Sequence, residues 1–244
     1  MSLSNNKPQQ DNNWVSFSDI MTALMVIFMF IAISYIVEVQ KKQAQRDIIF
    51  EEFKATKEDL FAELQKEFKD DFKEWQVELD KDLSVKFTNP EILFRSGRMD
   101  IRPNFAVILD QFLPRYFDIL LQDKYSDKIA EIRIEGHTDA VPAPTYDLDP
   151  YIGNVILSQL RSTEVLKYFR QMDYYNNLNT DNVNRLQFWL TANGLSYGRT
   201  LDGDKELTVI SDKPANNEFS RRVEFKVITT SESLVERVIN ELGR

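Results

Sequence analysis

One uninterrupted apolar stretch near the N-terminus constrains what this chain can fold into. Residues 20–37 read IMTALMVIFMFIAISYIV, 18 residues without a charge and with only Thr22, Ser34 and Tyr35 as polar interruptions. As a helix rising ~1.5 Å per residue, this stretch spans roughly 27 Å, close to the ~30 Å core of a bilayer. We therefore predict a transmembrane helix over residues 14–39. Trp14 is expected to anchor it at the interface.

The flanks of this stretch bear on its processing and orientation. Residues 1–13 are polar, predict a disordered tail, and carry Lys7 as their single basic side chain. No small-residue cleavage site follows the apolar run, so we expect an uncleaved helix and not a signal peptide. Lys41, Lys42 and Arg46 follow the span. The positive-inside rule alone would put the C-terminal side in the cytoplasm, but that rule is weak for long translocated domains.

Composition excludes several classes of function. The 244 residues include 39 acidic and 30 basic side chains, a formal charge of -9, which weighs against nucleic acid as the main partner. The absence of Cys excludes disulfides and cysteine metal sites. His137 is the lone histidine, which argues against metal chemistry and for a structural role. There is no P-loop, H-E-x-x-H or nucleophile-elbow motif, so we expect neither an enzyme nor a cofactor.

Residues 40–83 are highly charged, contain no Pro or Gly, and predict a helical stalk or linker. Their apolar residues recur at helical steps and describe one face: Ile49, Phe53, Leu60, Leu64, Phe68, Phe72, Trp75, Leu79 and Leu83. Part of this pattern repeats every eleven residues, which suits a straight or slightly right-handed supercoil. The face therefore predicts either a stalk that dimerises or an amphipathic helix packed on its own domain. Periodicity alone does not distinguish the two.

Residues 84–230 predict a compact domain, and residues 231–244 a C-terminal tail helix. Strand-like runs and helical spacing alternate, with strands expected at 85–88, 92–94, 129–135, 187–192 and 222–228 and helices at 103–121 and 157–172. The Asn-rich segment 173–185 is expected to be an insertion loop. The predicted fold class is α+β: one N-terminal transmembrane helix, a helical stalk, and helices packed on a mixed sheet.

Asp19 is the candidate functional residue of the membrane segment. A carboxylate at membrane depth is costly, so it usually faces a protein interior and titrates there. Alternatively, Ser16, Ser18 or Asp19 caps the start of the helix. The stretch W-V-S-F-S-D-I-M-T-A-L-M, residues 14–25, resembles the membrane signature of MotB-like stator subunits. The resemblance implies that Asp19 carries the translocated ion, and Thr22, one turn along, is placed to help hydrate or coordinate it.

Three further motifs follow in order. They are E-G-H-T-D at 135–139, N-x-x-L-S-x-x-R at 154–161 and F-S-R-R-V-E-F at 219–225. Together they resemble the OmpA-like peptidoglycan-binding domain over roughly residues 86–228. The resemblance implies that Asp139 and Arg161 clamp the diaminopimelate of a wall peptide. These two charges suit an ammonium and a carboxylate, respectively.

The resemblance also implies further binding residues, and the roles of Asp139 and Arg161 have an alternative explanation. Thr138 and Asn154 are expected to add hydrogen bonds, with Arg222 a further candidate. The alternative is that Asp139 and Arg161 form only a structural ion pair. The sequence departs from the family pattern at Ser220, where Asn is usual, and in a long, proline-rich loop at 140–153.

Taken together, the resemblances imply a peptidoglycan-anchored subunit of an ion-driven motor. Two copies would stand inside a ring of MotA/ZorA-like multi-span partners in the bacterial inner membrane, since one helix cannot enclose an aqueous path. The N-terminus would be cytoplasmic, the C-terminal domain periplasmic, and H+ is favoured over Na+ as the ion. Within the family, the membrane motif favours the ZorB-type subunits of Zorya anti-phage defence over a flagellar stator. A passive OmpA-like wall tether is the remaining alternative.

Overall fold

The computed structural model describes residues 12–95, 97–143 and 149–230, with the backbone alone for 12–16 and Phe53. The chain divides into two compact units, Met1–Glu51 and Glu52–Arg244. Of the tail expected over 1–13, only Asn12 and Asn13 fall within the described residues, and both are helical. The expected tail helix at 231–244 lies outside the described residues.

The predicted apolar helix is confirmed. Helix α1 runs over Asn12–Phe68, and it is the one helix in the described part of the chain that is long and apolar enough to cross a membrane. None of its apolar window is buried within the protein, and Ile20, Met25 and Tyr35 are each more than half exposed. A helix of this length with a fully exposed apolar surface is suited to lipid as its surroundings.

The burial of the charged part of α1 differs along its length. Between the span and residue 55, the described side chains are exposed or half-buried, as expected of a helical stalk. From Thr56 onward one face is buried in the core of the second unit, where Leu60, Leu64 and Phe68 are fully inaccessible. Over this stretch the apolar periodicity thus reports packing on the chain's own domain, the alternative that the sequence had left open.

The helical prediction for 40–83 is wrong beyond Phe68. The chain continues as a short helix α2 (Asp71–Trp75) and then as a strand β1 (Val77–Leu79). Gln76 takes a left-handed conformation with φ 54°, which ends α2 and turns the chain into the sheet. The helical spacing of Phe72, Trp75 and Leu79 therefore spans a change from helix to strand, and all three residues contribute to the same core.

The second unit is built on a five-stranded mixed sheet. Its other strands are β2 (Ser84–Phe87), β3 (Ile129–Gly136), β4 (Leu190–Gly194) and β5 (Val223–Thr229). The spatial order is β1-β2-β5-β3-β4, with β3 and β4 parallel and every other neighbouring pair antiparallel. This arrangement confirms the predicted α+β class with a mixed sheet.

Seven α-helices follow α2 in the described part of the domain. They are α3 (Pro90–Leu93), α4 (Pro103–Leu120), α5 (Pro150–Gln171), α6 (Asp173–Asn176), α7 (Thr180–Trp189), α8 (Thr208–Ser211) and α9 (Asn217–Ser220). The predicted helices at 103–121 and 157–172 correspond to α4 and α5. Helix α4 continues through Pro114 without a break, and α5 begins seven residues earlier than expected.

Two local predictions are wrong because side-chain caps were overlooked. The strand expected at 92–94 is largely helix α3, which Asn89 caps by accepting a hydrogen bond from the Glu91 amide at 3.0 Å. The loop expected at 173–185 forms α6 and most of α7. Asn179 caps α7 by accepting from the Asn182 amide at 2.8 Å. Asn89 and Asn179, which lie where the sequence indicated a break and a loop, are thus the N-caps of helices.

Two glycines bring helix α5 unusually close to the sheet. Gly136 and Gly194 are register partners at the ends of β3 and β4. A Cβ on Gly136 would lie 2.2 Å from the Ser158 carbonyl oxygen, and one on Gly194 would lie 2.4 Å from the Gln159 nitrogen. Since both obstacles are backbone atoms, only glycine permits this approach. The contact fixes α5 against the end of β3, where the E-G-H-T-D motif begins.

Candidate functional site

A cleft of about 250 Å³ lies between the loop that follows β3 and the side of α5. It is lined by Gly97, Thr138, Asp139, Val141, Pro142, Ala143, Asn154, Leu157, Arg161 and Arg221. Four of the five binding residues predicted from the sequence are in this set, and Arg222 is not. The cleft is therefore assembled from the three motifs that lie far apart in sequence, as the resemblance implied.

Asp139 is the carboxylate of the cleft, and it is 5% exposed. Its Oδ1 accepts a hydrogen bond from the Val141 amide at 3.2 Å, and its Oδ2 forms an ion pair with Arg221 Nη1 at 2.8 Å. Arg221 is a residue that the sequence reasoning missed. The paired arginines of the F-S-R-R-V-E-F motif were the available signal, but that reasoning named Arg222, and it is Arg221 that lines the cleft.

Arg161 projects from α5 into the same cleft and is also 5% exposed. Its guanidinium donates to the backbone carbonyls of Arg98 at 3.0 Å and Arg95 at 3.4 Å, and its Cζ lies 5.1 Å from the centre of the Phe94 ring. Burial lowers the pKa of Arg161 to about 10, with Arg221 adding to the shift and Asp139 opposing it. The side chain therefore stays cationic at neutral pH.

The predicted structural ion pair between Asp139 and Arg161 does not form. Asp139 pairs instead with Arg221, and no carboxylate lies within 4.0 Å of the Arg161 guanidinium in the described parts of the chain. A buried cation whose partners are neutral carbonyls is incompletely compensated, and burying charge in this way is costly. This arrangement favours an anionic ligand group beside Arg161.

Thr138 and Asn154 have different roles. The Thr138 hydroxyl is buried and has no hydrogen-bond partner among the described residues, so it is free to meet a ligand. The Asn154 amide is already engaged, because Nδ2 donates to the carbonyls of Val141 at 3.0 Å and Pro150 at 3.1 Å. Asn154 thus ties together the two ends of the long loop whose middle, residues 144–148, lies outside the described residues.

Arg222 lies in a buried network behind the cleft. Its Nε donates to Glu224, and its Nη1 donates to the Arg199 carbonyl at 3.0 Å and to the Ser220 carbonyl at 3.3 Å. The side chains of successive residues in an extended segment point to opposite faces, which explains why Arg221 and Arg222 diverge. The Arg222 guanidinium is therefore engaged within the domain and does not line the cleft, and its role as a further binding residue stays a prediction.

Ser220, the departure from the family motif, is also satisfied internally. Its hydroxyl accepts from the Leu201 amide at 3.1 Å and donates to the Asn216 carbonyl at 2.6 Å. The residue is fully buried, so it fixes the loop before β5 and does not line the cleft.

His137 lies in the same buried network as Arg222. Its Nε2 is 3.4 Å from Glu135 Oε2 and 3.7 Å from Glu224 Oε1, and the ligand atoms of the three residues lie within 4.8 Å of one another. Each carboxylate already has a guanidinium partner, since Arg199 contacts Glu135 at 3.5 Å and Arg222 contacts Glu224. The negative charges of the two carboxylates are therefore balanced by the two guanidiniums, and no added cation is needed.

We expect His137 to make folding sensitive to mild acid. Burial lowers the pKa of His137 to about 3, with Arg222 adding to the shift, from an unfolded value of 6.5. The unfolded chain therefore binds a proton first, so stability is lost as pH falls from 6.5 towards 3. Between pH 6.5 and 5 the free energy of unfolding should drop by about 1.5 kcal/mol from this group, before most carboxylates titrate.

Urea unfolding of the full chain in detergent at several pH values measures this effect. His137→Gln cannot titrate in this range and should flatten the slope, whatever its effect on absolute stability. Because the chain contains one histidine, no other imidazole confuses the comparison. Equal slopes in the two proteins would contradict the assignment.

The first unit holds the other predicted site. Asp19 is exposed on α1, and the Thr22 hydroxyl donates to the Ser18 carbonyl at 2.8 Å. Because α1 already runs from Asn12, Asp19 lies about two turns inside the helix, and the capping alternative is wrong. Asp19 and Thr22 lie three residues apart and so share a face. The Thr22 oxygen keeps its acceptor capacity towards that face.

These features define a protein with one candidate membrane helix among the described residues and an α+β domain that carries a charged cleft. The chain is 34% identical over 239 residues to the Zorya protein ZorB of Escherichia coli, an alignment that covers 96% of this chain and 95% of that protein. It belongs to the ZorB family. No protein-family model matches the chain.

Solved structures give more distant likenesses. A MotB-like protein from Desulfovibrio vulgaris is 22% identical with a TM-score of 0.47, covering 72% of this chain and 93% of its own. A structure of the periplasmic domain of Helicobacter pylori MotB is 15% identical with a TM-score of 0.39, covering 66% of this chain and 83% of its own.

Proposed function

We propose that this chain is the peptidoglycan-anchored, ion-translocating subunit of a MotAB-like rotary motor in the inner membrane, and that it acts as the ZorB component of Zorya defence. The observation that carries the anchoring half is the cleft. It places a buried carboxylate, Asp139, and a buried guanidinium, Arg161, on one cavity with the unpartnered Thr138 hydroxyl. Family membership supports the assignment to Zorya.

The cleft suits a ligand that carries both charges. A diaminopimelate side chain offers an ammonium for Asp139 and a carboxylate for Arg161, which can receive it bidentately. The ammonium would replace Arg221 at the Asp139 carboxylate. Arg221 is one-third exposed and is therefore able to move aside. The buried charge on Arg161 would gain an anionic partner, which it lacks among the described residues.

The motor half of the proposal rests on α1. Its single span cannot enclose a path for ions, so a multi-span MotA/ZorA-like partner is required. A homodimer inside a ring of that partner would present two Asp19 carboxylates to it, with Thr22 adjacent. H+ is the proposed ion because a carboxylate in a low-dielectric setting exchanges protons readily. The wall-binding domain would be periplasmic and the N-terminus cytoplasmic.

Replacing Asp139 with Asn should weaken wall binding by about 30-fold or more, because a buried partner of a charged ligand group is neutralised without a change in size. The measurement is co-sedimentation of the full chain in detergent with purified peptidoglycan sacculi. Asp181→Asn is the matched control, because Asp181 is exposed on α7 and does not line the cleft. If Asp139→Asn sedimented like the wild type, the cleft would not be the wall-binding site.

A further inference from the structure

A second cavity of about 250 Å³ adjoins the cleft and shares Arg161 and Arg221 with it. Its lining is rich in arginine and comprises Pro90, Glu91, Leu93, Phe94, Arg95, Arg102, Arg161, Arg221 and Arg222. Five arginines and one acidic residue therefore line the cavity. Such a concentration of one sign, with apolar walls from Leu93 and Phe94, focuses the field on an anion.

Internal ion pairs account for part of this charge. Arg221 is paired with Asp139 and Arg222 with Glu224. The remaining three, Arg95, Arg102 and Arg161, have no carboxylate within 4.0 Å across the described ranges. Against the carboxylate of Glu91, this leaves an excess of two positive charges around the cavity.

Two of the three arginines without acidic partners, Arg102 and Arg161, are held in place by neutral groups. Arg102 donates to the Glu91 carbonyl, and Arg161 donates to the carbonyls of Arg95 and Arg98. Carbonyl oxygens orient a guanidinium but do not neutralise it. The side chains are thus positioned in advance, and their charge is left for a ligand.

We infer that this second cavity, named here the arginine cavity, binds a further carboxylate of the wall peptide, so that the protein selects peptides whose carboxylates are free over those in which they are amidated. The inference rests on the proposed function, because it assumes that the wall peptide occupies the cleft. The arginine cavity adjoins that cleft, and Arg161 and Arg221 line both. A ligand that reaches both cavities must carry an ammonium and more than one anionic group. An acidic peptide with a free amine meets that requirement, and inorganic phosphate does not.

The test uses two synthetic stem peptides that contain diaminopimelate and are identical except that one carboxylate outside diaminopimelate is free or amidated. Titration calorimetry with the full chain in detergent should give about tenfold tighter binding of the free acid, as expected for charge-assisted hydrogen bonds. Arg95→Gln should reduce that preference several-fold, and adding Arg102→Gln should abolish it. Both changes should weaken binding of the free acid more than binding of the amidated peptide.

Arg98→Gln is the matched control, because Arg98 belongs to the same segment and is exposed but does not line the arginine cavity. It should leave the preference intact. If the wild type bound both peptides equally while Asp139→Asn still weakened both, the inference would fail and the proposed function would stand. If neither peptide bound the wild type, both would fail. Competition by millimolar inorganic phosphate as strong as that by the free-acid peptide would reduce the arginine cavity to a general anion site and overturn the inference.

Discussion

Asp19→Asn is expected to abolish phage protection by the complete operon while the protein still reaches the membrane. Asparagine matches aspartate in size but cannot take up or release a proton, so an ion-driven cycle that uses Asp19, as proposed, would stop. A carboxylate at membrane depth costs about 2.5–3.5 kcal/mol on insertion scales. Removing the charge should therefore ease insertion slightly, and loss of protein would not explain loss of function. The measurement is plaque formation in a host that the wild-type operon protects.

Asp47→Asn is the matched control for this experiment. It makes the same chemical change on the same helix, at an exposed position beyond the apolar stretch, and should leave protection unchanged. Membrane fractions and co-purification of the partner subunit check assembly in both variants. Normal protection with Asp19→Asn would reduce the chain to a passive wall tether. If the wild-type operon gave no protection in any host, motility would be the next assay, because it tests the flagellar alternative.

Phe68→Ala is expected to destabilise the second unit by about 3–5 kcal/mol. The ring is fully buried, lies 5.2 Å from the ring of Phe112, and is covered by the Arg115 guanidinium at 4.6 Å. Its removal leaves a cavity and breaks an aromatic cluster, and the loss is a large share of the ~5–15 kcal/mol that typically stabilises a domain. Urea unfolding of the full chain in detergent, followed by the fluorescence of Trp75 and Trp189, measures it.

Phe50→Ala provides the comparison on the same helix. Phe50 is 46% exposed, so its truncation should change stability by less than about 0.5 kcal/mol. A destabilisation by Phe68→Ala that grew with protein concentration would indicate that the residue stabilises an interface between two chains. A loss that is independent of concentration supports its place in the core of one domain.

The sequence predicted the large elements well because each had a strong, local signal. The span was given by uninterrupted apolar residues, β3 by alternation over 129–135, and α4 by helical spacing after Pro103. The predictions of secondary structure failed where the spacing of apolar residues is compatible with both a helix and a strand. Residues 69–83 keep helical spacing across α2 and β1, and the turn at Gln76 depends on a backbone conformation that its side chain does not specify.

Most residues of the cleft were predicted from the sequence. The residues that were missed depend on side-chain direction and on packing, which the motifs do not specify. The motifs identified Asp139, Arg161 and Thr138 as neighbours, which the cleft confirms in space. They could not distinguish Arg221 from Arg222, since that choice depends on which face of the chain each side chain takes just before β5. The arginine cavity was also missed, because Arg95 and Arg102 belong to no motif and meet Arg161 only through the packing of α5.

The contact of Gly136 and Gly194 with α5 has a consequence for what the cleft can hold. Arg161 lies one turn beyond Ser158, and Asp139 lies three residues beyond Gly136, so the two charges are joined through this contact. A methyl group at either glycine would push helix α5 away from the sheet and increase the distance between Asp139 and Arg161. The spacing of the two charges in the cleft therefore depends on the absence of a side chain at Gly136 and Gly194, neither of which lines the cleft, so substitutions outside the cleft can change which ligands fit.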